Sequence, residues 1–406
     1  MEVRLDPPPA ERFVGTPTRI GFEPVRLEGG EFTALADFAF LPDGTEFLAV
    51  NRSVTVARYR LHAGYATMIG SFQIPAAHTD GDCSASIAID PDFATNRLFY
   101  VAYCIDDGQF SAVKRFTMSN GDFSETLFTA ANMLAAGDSK ADFSRHPITA
   151  ITFGPDGVMW ASVGDRGNSE NAQDTTNELG KVIRLRPLKD SNLSGHTPAS
   201  DNMSPKRPPE SPLVYAYGLG DPGKGAFDAD GRFWLPDNAS PDVKEINIVS
   251  RAGQNFGWPD SEGRRCLDGD CTRFVPPSLS WDGSDSHRYK LEDPLVKSNS
   301  RFRSAWVGLE YRPTKIDRYG GLLTGKMLYG DLYLGYVRGA TVDSQGVVIS
   351  DQHLGNITLP MAWRQGRDGY VYVGTMYASA LSRVEDGSTG DDVERQGGLW
   401  RVVPLP

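Results

Sequence analysis

The sequence predicts an all-β fold, a β-propeller built from four-stranded antiparallel blades. Two observations predict it. A tight Asp-Gly turn followed at once by aromatic and β-branched residues recurs along the chain, and the segments between its copies show little helical periodicity. The 406 residues also include 43 Gly and 27 Pro, as expected for many short strands joined by frequent turns. A β-sandwich with appendages is the alternative.

The repeated turn has a physical cause. Asp tolerates the left-handed conformation and bonds its own backbone, Gly accepts a positive φ, and the next strand then returns antiparallel. Four copies are clear and two are degenerate, and they lie at residues 41–44, 154–157, 228–231 and 367–369, and at residues 90–93 and 343–346. We therefore expect a hairpin at each copy and about six sheets arranged around one axis.

The pattern extends over the whole chain, so we predict a single domain at residues 1–406. Residues 188–212, rich in Ser, Pro, Asn and Lys, and residues 261–299, rich in Asp, Gly and Ser, are predicted to be long loop insertions. Long propeller loops crowd the face that binds ligands, so both are candidate pocket walls. The final strand, at residues 398–403, is expected to close the ring against an N-terminal strand.

Charge and hydropathy exclude several classes of partner. The formal net charge of −11 disfavours nucleic acid, whose backbone is bound through clustered Lys and Arg. No run approaches the roughly 18 apolar residues of a membrane span. The first residues are charged and proline-rich rather than apolar, so the chain is either cytoplasmic or a mature exported form. The sequence leaves the oligomeric state open.

The four cysteines favour an oxidising compartment, the periplasm or the exterior. Cys83 with Cys104, and Cys266 with Cys271, would make plausible local disulfides. Buried thiols are the alternative, and a cytoplasmic location stays open. The spacing does not suit a zinc site.

Common catalytic motifs are missing from the sequence. It contains no P-loop, no Gly-x-Ser-x-Gly and no His-Glu-x-x-His, which disfavours nucleotide hydrolysis, α/β-hydrolase chemistry and zinc proteolysis. The glycine-rich residues 218–225 lie between predicted strands rather than at the start of a helix, so they are not a dinucleotide fingerprint.

Four segments in order carry a family resemblance. They include Ile-Ala-Ile-Asp-Pro-Asp-Phe, then Val-Gly-Asp-Arg-Gly-Asn with Leu-Gly-Lys-Val-Ile-Arg-Leu, then Tyr-Gly-Leu with Asp-Asn, and finally Gln-Asn-Phe-Gly-Trp-Pro, within residues 87–103, 146–185, 217–247 and 253–259. Together they resemble the glucose/sorbosone dehydrogenase family, which includes soluble quinoprotein glucose dehydrogenase and bacterial aldose sugar dehydrogenases.

The resemblance implies six blades and an active site at one end of the axis. In the redox members a pyrroloquinoline quinone (PQQ) lies over a calcium ion, and a histidine accepts a proton from a sugar hydroxyl. His146, eight residues before Gly154, matches that base, and an imidazole with a pKa of about 6.5 suits the task. A structural or surface histidine is the alternative. Asp165 and Arg166 either line the same pocket or pair with each other to fix their loop.

The quinone carboxylates require cationic or amide partners. Positions that carry such side chains in the family correspond here to small or apolar residues, namely Gly81, Gly220, Gly223, Val337, Leu359 and Met361, and to Asp221. We therefore predict that neighbouring polar and charged residues bind the cofactor, and these are Asp221, Lys224, Arg338 and Arg364.

Further polar residues are candidates for metal and substrate. Carboxylate and amide oxygens suit calcium, and those near the cofactor loop are Asp237, Asn238, Asp242 and Glu245. Capping of turns is the alternative role for them. The candidates for substrate binding are His78, Asp80, Asp82, Asn168 and Trp258.

The function predicted is oxidation of a sugar or polyol-like hydroxyl with His146 as general base. The first alternative is an enzyme that keeps the propeller but lacks PQQ and acts as a lyase, isomerase, cyclase or hydrolase on a sugar-like or secondary metabolite. The second is a propeller that binds a ligand without catalysis.

Overall fold

The computed structural model describes thirteen segments of the chain, which are residues 16–30, 32–74, 77–78, 85–105, 110–118, 131–137, 148–190, 195–203, 210–240, 243–282, 304–357, 359–376 and 396–406. The strands in them form six antiparallel blades in a ring, so the predicted six-bladed β-propeller is confirmed.

The chain enters through three short strands before the first blade begins. These are β1 (Arg19–Pro24), β2 (Arg26–Glu28) and β3 (Phe32–Thr33). The first blade contains, from the axis outward, β4 (Leu35–Phe40), β5 (Glu46–Asn51), β6 (Thr55–Leu61) and β7 (Tyr65–Gln73). Strand β2 adds to its outer edge in parallel.

The second and third blades follow in chain order. The second contains β8 (Ala77–His78), β9 (Ser86–Ile89), β10 (Leu98–Ile105), β11 (Phe110–Thr117) and β12 (Ala131–Gly137), with β9 innermost. The third contains β13 (Ile148–Phe153), β14 (Met159–Val163), β15 (Lys181–Pro187), β16 (His196–Pro198) and β17 (Val214–Tyr217), with β13 innermost.

The fourth blade is interrupted by an excursion to its neighbour. Its strands are β18 (Ala226–Phe227), β19 (Phe233–Asp237), β20 (Val243–Val249) and β24 (Leu279–Asp282), and between the last two lie β21 (Gln254–Asn255), β22 (Ser261–Glu262) and β23 (Arg265–Cys266). Strand β21 pairs in parallel with β17 of the third blade. This segment therefore fastens the third blade to the fourth.

The last two blades complete the ring. The fifth contains β25 (Ala305–Glu310), β26 (Met327–Asp331), β27 (Tyr336–Val342) and β28 (Val348–Asn356), and the sixth contains β29 (Pro360–Gln365), β30 (Val371–Thr375) and β31 (Gln396–Leu405). Its fourth strand is β1, which pairs antiparallel with β31. The predicted closure of the ring by the two ends of the described chain is confirmed.

Helices are few and short. One α-helical turn, α1 (Phe93–Asn96), and two 3-10 helices at Ser169–Ala172 and Cys271–Arg273 occur in the described segments. None of the helices in those segments has the length and apolar character needed to cross a membrane.

The repeated turns define one end of the axis. Five copies connect an innermost strand with the second strand of its blade, whereas residues 343–346 connect the third and fourth strands of the fifth blade. Their glycines have φ between 69° and 86°, and the aspartate carboxylate accepts an N–H two residues later, as at Asp43 (3.0 Å) and Asp156 (3.1 Å). The predicted turn chemistry is confirmed. We call this end, where the inner strands finish, the turn face.

The core lies between the blades rather than within them. Large aromatic side chains from neighbouring sheets meet there, and Trp306 of the fifth blade stacks on Trp363 of the sixth with ring centroids 5.0 Å apart. Trp160 of the third blade contacts Phe233 of the fourth at 5.2 Å. Burial of these faces fixes the blades around a central channel.

The structure differs from the loop prediction for residues 188–212. They connect the third and fourth strands of the third blade and contribute the short strand β16. Lys189 Nζ pairs with Asp90 and Asp92 in the turn of the second blade at 2.9 and 2.8 Å. This segment therefore belongs to the turn face, away from the predicted pocket.

Residues 261–299 are not a continuous loop either. They include the hairpin β22–β23 and strand β24, the outermost strand of the fourth blade. Turn-rich composition hides this strand because β24 is short and separated from β20 by the excursion along the third blade.

One predicted disulfide is confirmed. Cys266 and Cys271 are bonded, and no described cysteine is a free thiol. Cys104 is also disulfide-bonded, while Cys83 lies outside the described residues, so that pairing stays a prediction. A formed disulfide agrees with an oxidising compartment, and the location itself stays a prediction.

Candidate active site

The end of the axis opposite the turn face is the one at which the inner strands begin. In an antiparallel blade the start of the inner strand lies at the same end as the link between the second and third strands. In the described chain this end includes residues 164–180, 218–225 and 238–240. We call it the loop face.

Several predicted site residues cannot be located. His146, Asp80, Asp82 and Asp242 lie outside the described residues, and only the backbone of His78 is described, in β8 beside Cys104. Their assigned roles stay predictions.

Asp165 is a buried carboxylate at the loop face. Its Oδ1 accepts the Gly167 N–H at 2.8 Å, and its Oδ2 accepts the Trp258 Nε1–H at 3.0 Å. Asp165 is 2 % exposed. Two directional donors from different segments hold the carboxylate in one orientation, which is the arrangement that positions a catalytic group.

The residues after Asp165 stabilise their own loop. Arg166 is fully buried and has a positive φ of 61°. Asn168 caps the following 3-10 helix through its side-chain oxygen, which accepts the Glu170 N–H at 3.3 Å. Positioning of the loop is therefore the role that the contacts of Asn168 support.

Gly220 is held tightly between two blades. Its carbonyl accepts the Asp165 N–H at 2.8 Å, and its N–H bonds Asp237 Oδ2 at 3.0 Å. A Cβ at this position would come within 2.2 Å of Ala239 Cβ and 3.0 Å of Trp258 Nε1. A side chain therefore has no room at position 220.

Burial raises the pKa of two acidic residues beside this segment. Asp237 and Glu245 lie directly opposite each other in the register of β19 and β20. Burial is the main cause that raises the pKa of Asp237 to about 6, and neighbouring Asp221 adds to it. Burial and the nearby Asp237 raise the pKa of Glu245 to about 7. Both groups therefore titrate near neutral pH.

The candidate metal ligands that the structure describes already accept hydrogen bonds from protein N–H groups. Asp237 accepts the N–H groups of Gly220 and Asp221, and Asn238 Oδ1 accepts the Ala305 N–H at 2.7 Å. Glu245 accepts the N–H of Gly263. The described residues contain no cluster of three or more His, Cys, Asp or Glu side chains suited to a metal. The calcium assignment stays a prediction.

Lys244 is a buried cation beside these acids that the sequence analysis missed. Its Nζ donates to the carbonyl of Ser240 and, at 3.4 Å, to that of Asn238. Burial lowers the pKa of Lys244, while Asp221 and Asp237 raise it. The signal in the sequence was the position of Lys244 between Val243 and Glu245 in a buried strand. Lysine is rarely buried without partners.

The predicted cofactor-binding cations lie in different places. Arg338 is on the third strand of the fifth blade, where its Nε bonds Asp351 Oδ1 at 2.9 Å, about 10 Å outward from the inner strand. Lys224 and Arg364 instead approach the axis, where Arg364 Nη2 bonds Asp37 Oδ1 at 2.9 Å and Lys224 Nζ lies 3.6 Å from Asp37 Oδ2.

Asp37 is another residue that the sequence analysis missed. It is 1 % exposed, and its Oδ2 also accepts the Ser86 hydroxyl at 2.8 Å and the Ile87 N–H at 3.1 Å. Burial lowers the pKa of Lys224, and the Asp37 carboxylate raises it. A charge inside the apolar strand Leu35–Phe40 was the signal, because a buried carboxylate requires partners.

The same chain matches a known family over most of its length. The sequence model of glucose/sorbosone dehydrogenase matches residues 32–382. The chain belongs to the glucose/sorbosone dehydrogenase family. The resemblance carried by the four sequence segments is thereby confirmed, and the fold and family agree.

Curated relatives come from a plant. HIPL1 protein of Arabidopsis thaliana is 29% identical over 216 residues, which is 47% of this chain and 29% of that protein. HIPL2 protein is 31% identical over 128 residues, 28% of this chain and 18% of that protein. This family member thus spans less than a third of the length of these two curated relatives.

Solved structures share the propeller. The soluble aldose sugar dehydrogenase of Escherichia coli, in its apo form, superposes with a TM-score of 0.70 at 19% identity and covers 95% of this chain and 100% of its own. The PQQ-bound aldose sugar dehydrogenase of Streptomyces coelicolor gives 0.66 at 19% identity, covering 96% and 100%. At this identity the likeness establishes the fold.

Proposed function

We propose that this family member oxidises a sugar or polyol-like hydroxyl at the loop face, with His146 as general base. The hydroxyl proton passes to the imidazole, and the carbon that bears the hydroxyl transfers a hydride to a two-electron acceptor. Membership of the glucose/sorbosone dehydrogenase family supports the reaction class. The substrate within that class and the acceptor are left open.

The observation that carries the proposal is the register of the third blade. Ile148 of β13 lies opposite Val163 of β14. His146 precedes Ile148 by two residues, and Asp165 follows Val163 by two residues. We infer from these sequence positions that His146 and Asp165 act together at the loop-face end of this hairpin. In this proposal Asp165, oriented by Gly167 and Trp258, aligns the imidazole and stabilises it once it is protonated.

The described residues do not fit a tricarboxylate quinone docked in the family manner. Position 220 has no room for a side chain, Arg338 is bonded to Asp351 on an outer strand, and Arg364 lines the central channel rather than the loop face. A quinone with three carboxylates needs such cations for charge pairing. The proton transfer proposed here therefore does not depend on PQQ. PQQ is the first acceptor to assay, because a PQQ-bound aldose sugar dehydrogenase has the same fold.

The placement of these cations away from the loop face favours one second candidate, a propeller enzyme without PQQ. It would use the same Asp165 and His146 pair for proton transfer in a lyase, isomerase, cyclase or hydrolase reaction on a sugar-like or secondary metabolite. The mass of the product separates the two candidates. Oxidation removes two hydrogens, whereas isomerisation leaves the mass unchanged, a lyase eliminates a fragment and a hydrolase adds water and cleaves the substrate.

The test is a dye-reduction assay over a panel of aldoses and polyols, with and without added PQQ and calcium, coupled to mass analysis of the product. We expect dye reduction with at least one substrate, and a fall in kcat of about 10² or more in His146→Gln, the size typical for a general base. The matched control is His62→Gln, because His62 stacks on Tyr65 in an outer turn of the first blade.

Two outcomes would contradict the proposed oxidation of a hydroxyl. One is an absence of dye reduction with every substrate in both cofactor conditions. The other is a His146→Gln enzyme as active as His62→Gln. A product that has not lost two hydrogens, whether of unchanged mass, cleaved or hydrated, would favour the second candidate.

A further inference from the structure

The central channel forms a cavity that the loop-face chemistry does not use. Its volume is about 440 Å³, and its lining comes from the inner strands of all six blades. The deepest lining includes Asp37, Ser86 and Lys224, and the outermost lining reaches the last residues of the inner strands at the turn face. Ligand pockets commonly have volumes of about 300–1,000 Å³, so the channel is large enough for a small molecule.

Two basic side chains and one carboxylate form the inner end of this cavity. Arg364 and Lys224 both approach Asp37, at 2.9 and 3.6 Å. The side chains of Arg364 and Lys224 keep 33% and 21% of their surface exposed, whereas Asp37 keeps 1%. The accessible part of this cluster is therefore basic, with two cationic side chains set against one carboxylate.

Arg364 is the better anchor for a ligand. Lys224 Nζ is already directed at the carbonyls of Ala36 and Met361 as well as at Asp37. Arg364 uses one N–H on Asp37 and another on the Trp363 carbonyl at 2.8 Å. A guanidinium has five N–H donors in a planar fork that matches a carboxylate.

Aromatic side chains line the cavity near the turn face, beside the Glu310 carboxylate, which is paired with Arg312. Phe40, Phe153 and Phe227, each on an inner strand of a different blade, line it and are partly exposed. The inner strands are the edge strands of their sheets, so their outer backbone groups also face the channel. A ligand with a flat apolar body and a single acidic head group suits this combination.

We propose that the turn-face half of the channel binds a small organic monocarboxylate with a flat apolar body. The carboxylate pairs with Arg364 beside Lys224, and the body lies against the aromatic residues near the turn face. One negative charge balances the cluster of two cations and one carboxylate, which favours a monoanion over a phosphate dianion. The aromatic end of this site lies at the turn face, opposite the end that carries Asp165, and the site is independent of the oxidation proposed above.

The test uses 4-fluorobenzoate as the probe and fluorine NMR of the full chain as the readout, with 4-fluorobenzyl alcohol as the uncharged analogue. We expect saturable binding of the benzoate and at least about tenfold weaker binding of the alcohol, the result of one missing ion pair. Equal binding of both probes, or no saturable binding of the benzoate, would overturn the proposal.

Two variants localise the probe. Arg364→Gln should weaken benzoate binding about tenfold, and circular dichroism reports whether it folds. Thr152→Phe fills the cavity from an inner strand without changing its charge, and Thr152→Val is its matched control. Thr152→Phe should abolish binding and Thr152→Val should retain it. An unchanged affinity in Thr152→Phe would place the probe elsewhere and refute the site, whatever the dehydrogenase assay finds.

Discussion

At the scale of single residues, Lys181 holds the loop that presents Asp165. Its fully buried Nζ donates to the carbonyls of Asn171, Ala172 and Leu179 at 2.6, 3.1 and 2.5 Å. An ammonium has three hydrogens and can satisfy all three acceptors. Burial nevertheless lowers the pKa of Lys181 to about 7, while the neighbouring carboxylates oppose that shift.

This lowered pKa predicts a particular dependence of stability on pH. The unfolded chain keeps the Lys181 proton up to about pH 10.5, whereas the folded chain releases it from about pH 7. Between these values the unfolded state binds more protons, so the free energy of unfolding rises with pH, by on the order of 5 kcal/mol over the whole range. Urea unfolding at several pH values measures it.

The matched variant for that measurement is Lys181→Met, which cannot be protonated. We expect the wild-type free energy of unfolding to rise relative to that of the variant between pH 7 and pH 10. Parallel pH curves for the two proteins would show that Lys181 does not titrate in this range.

At the scale of elements, the segment that leaves β20 joins two blades and delivers Trp258. Strand β21 pairs with β17. The backbone N–H of Trp258 donates to the Gly218 carbonyl at 3.0 Å, and Gln173 Nε2 donates to the Trp258 carbonyl at 2.7 Å. These bonds fix the indole whose Nε1 reaches Asp165. The contacts of Trp258 thus support a positioning role beside its predicted role in substrate binding.

The role of Trp258 is tested with Trp258→Phe, which keeps a ring but removes the N–H donor. We expect kcat to fall roughly ten- to a hundredfold because the Asp165 carboxylate loses one of its two fixed donors, with a smaller change in KM. Trp281→Phe, which alters a buried indole in the outer strand of the same blade, is the control. A rise in KM with kcat unchanged, or equal losses of kcat in both variants, would argue against positioning.

Local elements were the most predictable part of the fold. The Asp-Gly turns depend on two or three adjacent residues, so every copy is visible in the sequence. The short strands β16 and β24 were not visible, because residues 188–212 and 261–299 have the composition of loops. Their pairing depends on neighbouring strands, β15 and β20, rather than on any periodicity of their own.

At the scale of the whole molecule, the ring brings together residues that no local pattern connects. Asp37 and Arg364 are 327 positions apart and meet because the first and sixth blades are neighbours after closure by β1 and β31. Each residue has its own signal in the sequence. Asp37 is a charge in an apolar strand, and Arg364 is a cation near a position that is basic in the family. The sequence could not pair them, since their contact depends on the number of blades.

The candidate site was predictable only in part for the same reason. Asp165, Trp258 and Asp237 were found from motifs, and the structure brings them to the loop face of the third and fourth blades. Arg338 was chosen by its proximity in sequence to a family position, and the blade geometry directs it to Asp351 instead. Alternation along a strand decides such directions, and a one-residue shift reverses them.

The most direct test of the central claim, that His146 accepts the substrate proton beside Asp165, is the pH profile of kcat/KM with a substrate found in the dye assay. The account predicts that kcat/KM rises tenfold per pH unit on the acid side of its profile, where the imidazole must lose its proton, and that this limb is lost in His146→Gln but not in His62→Gln. An identical ascending limb in His146→Gln would contradict the account.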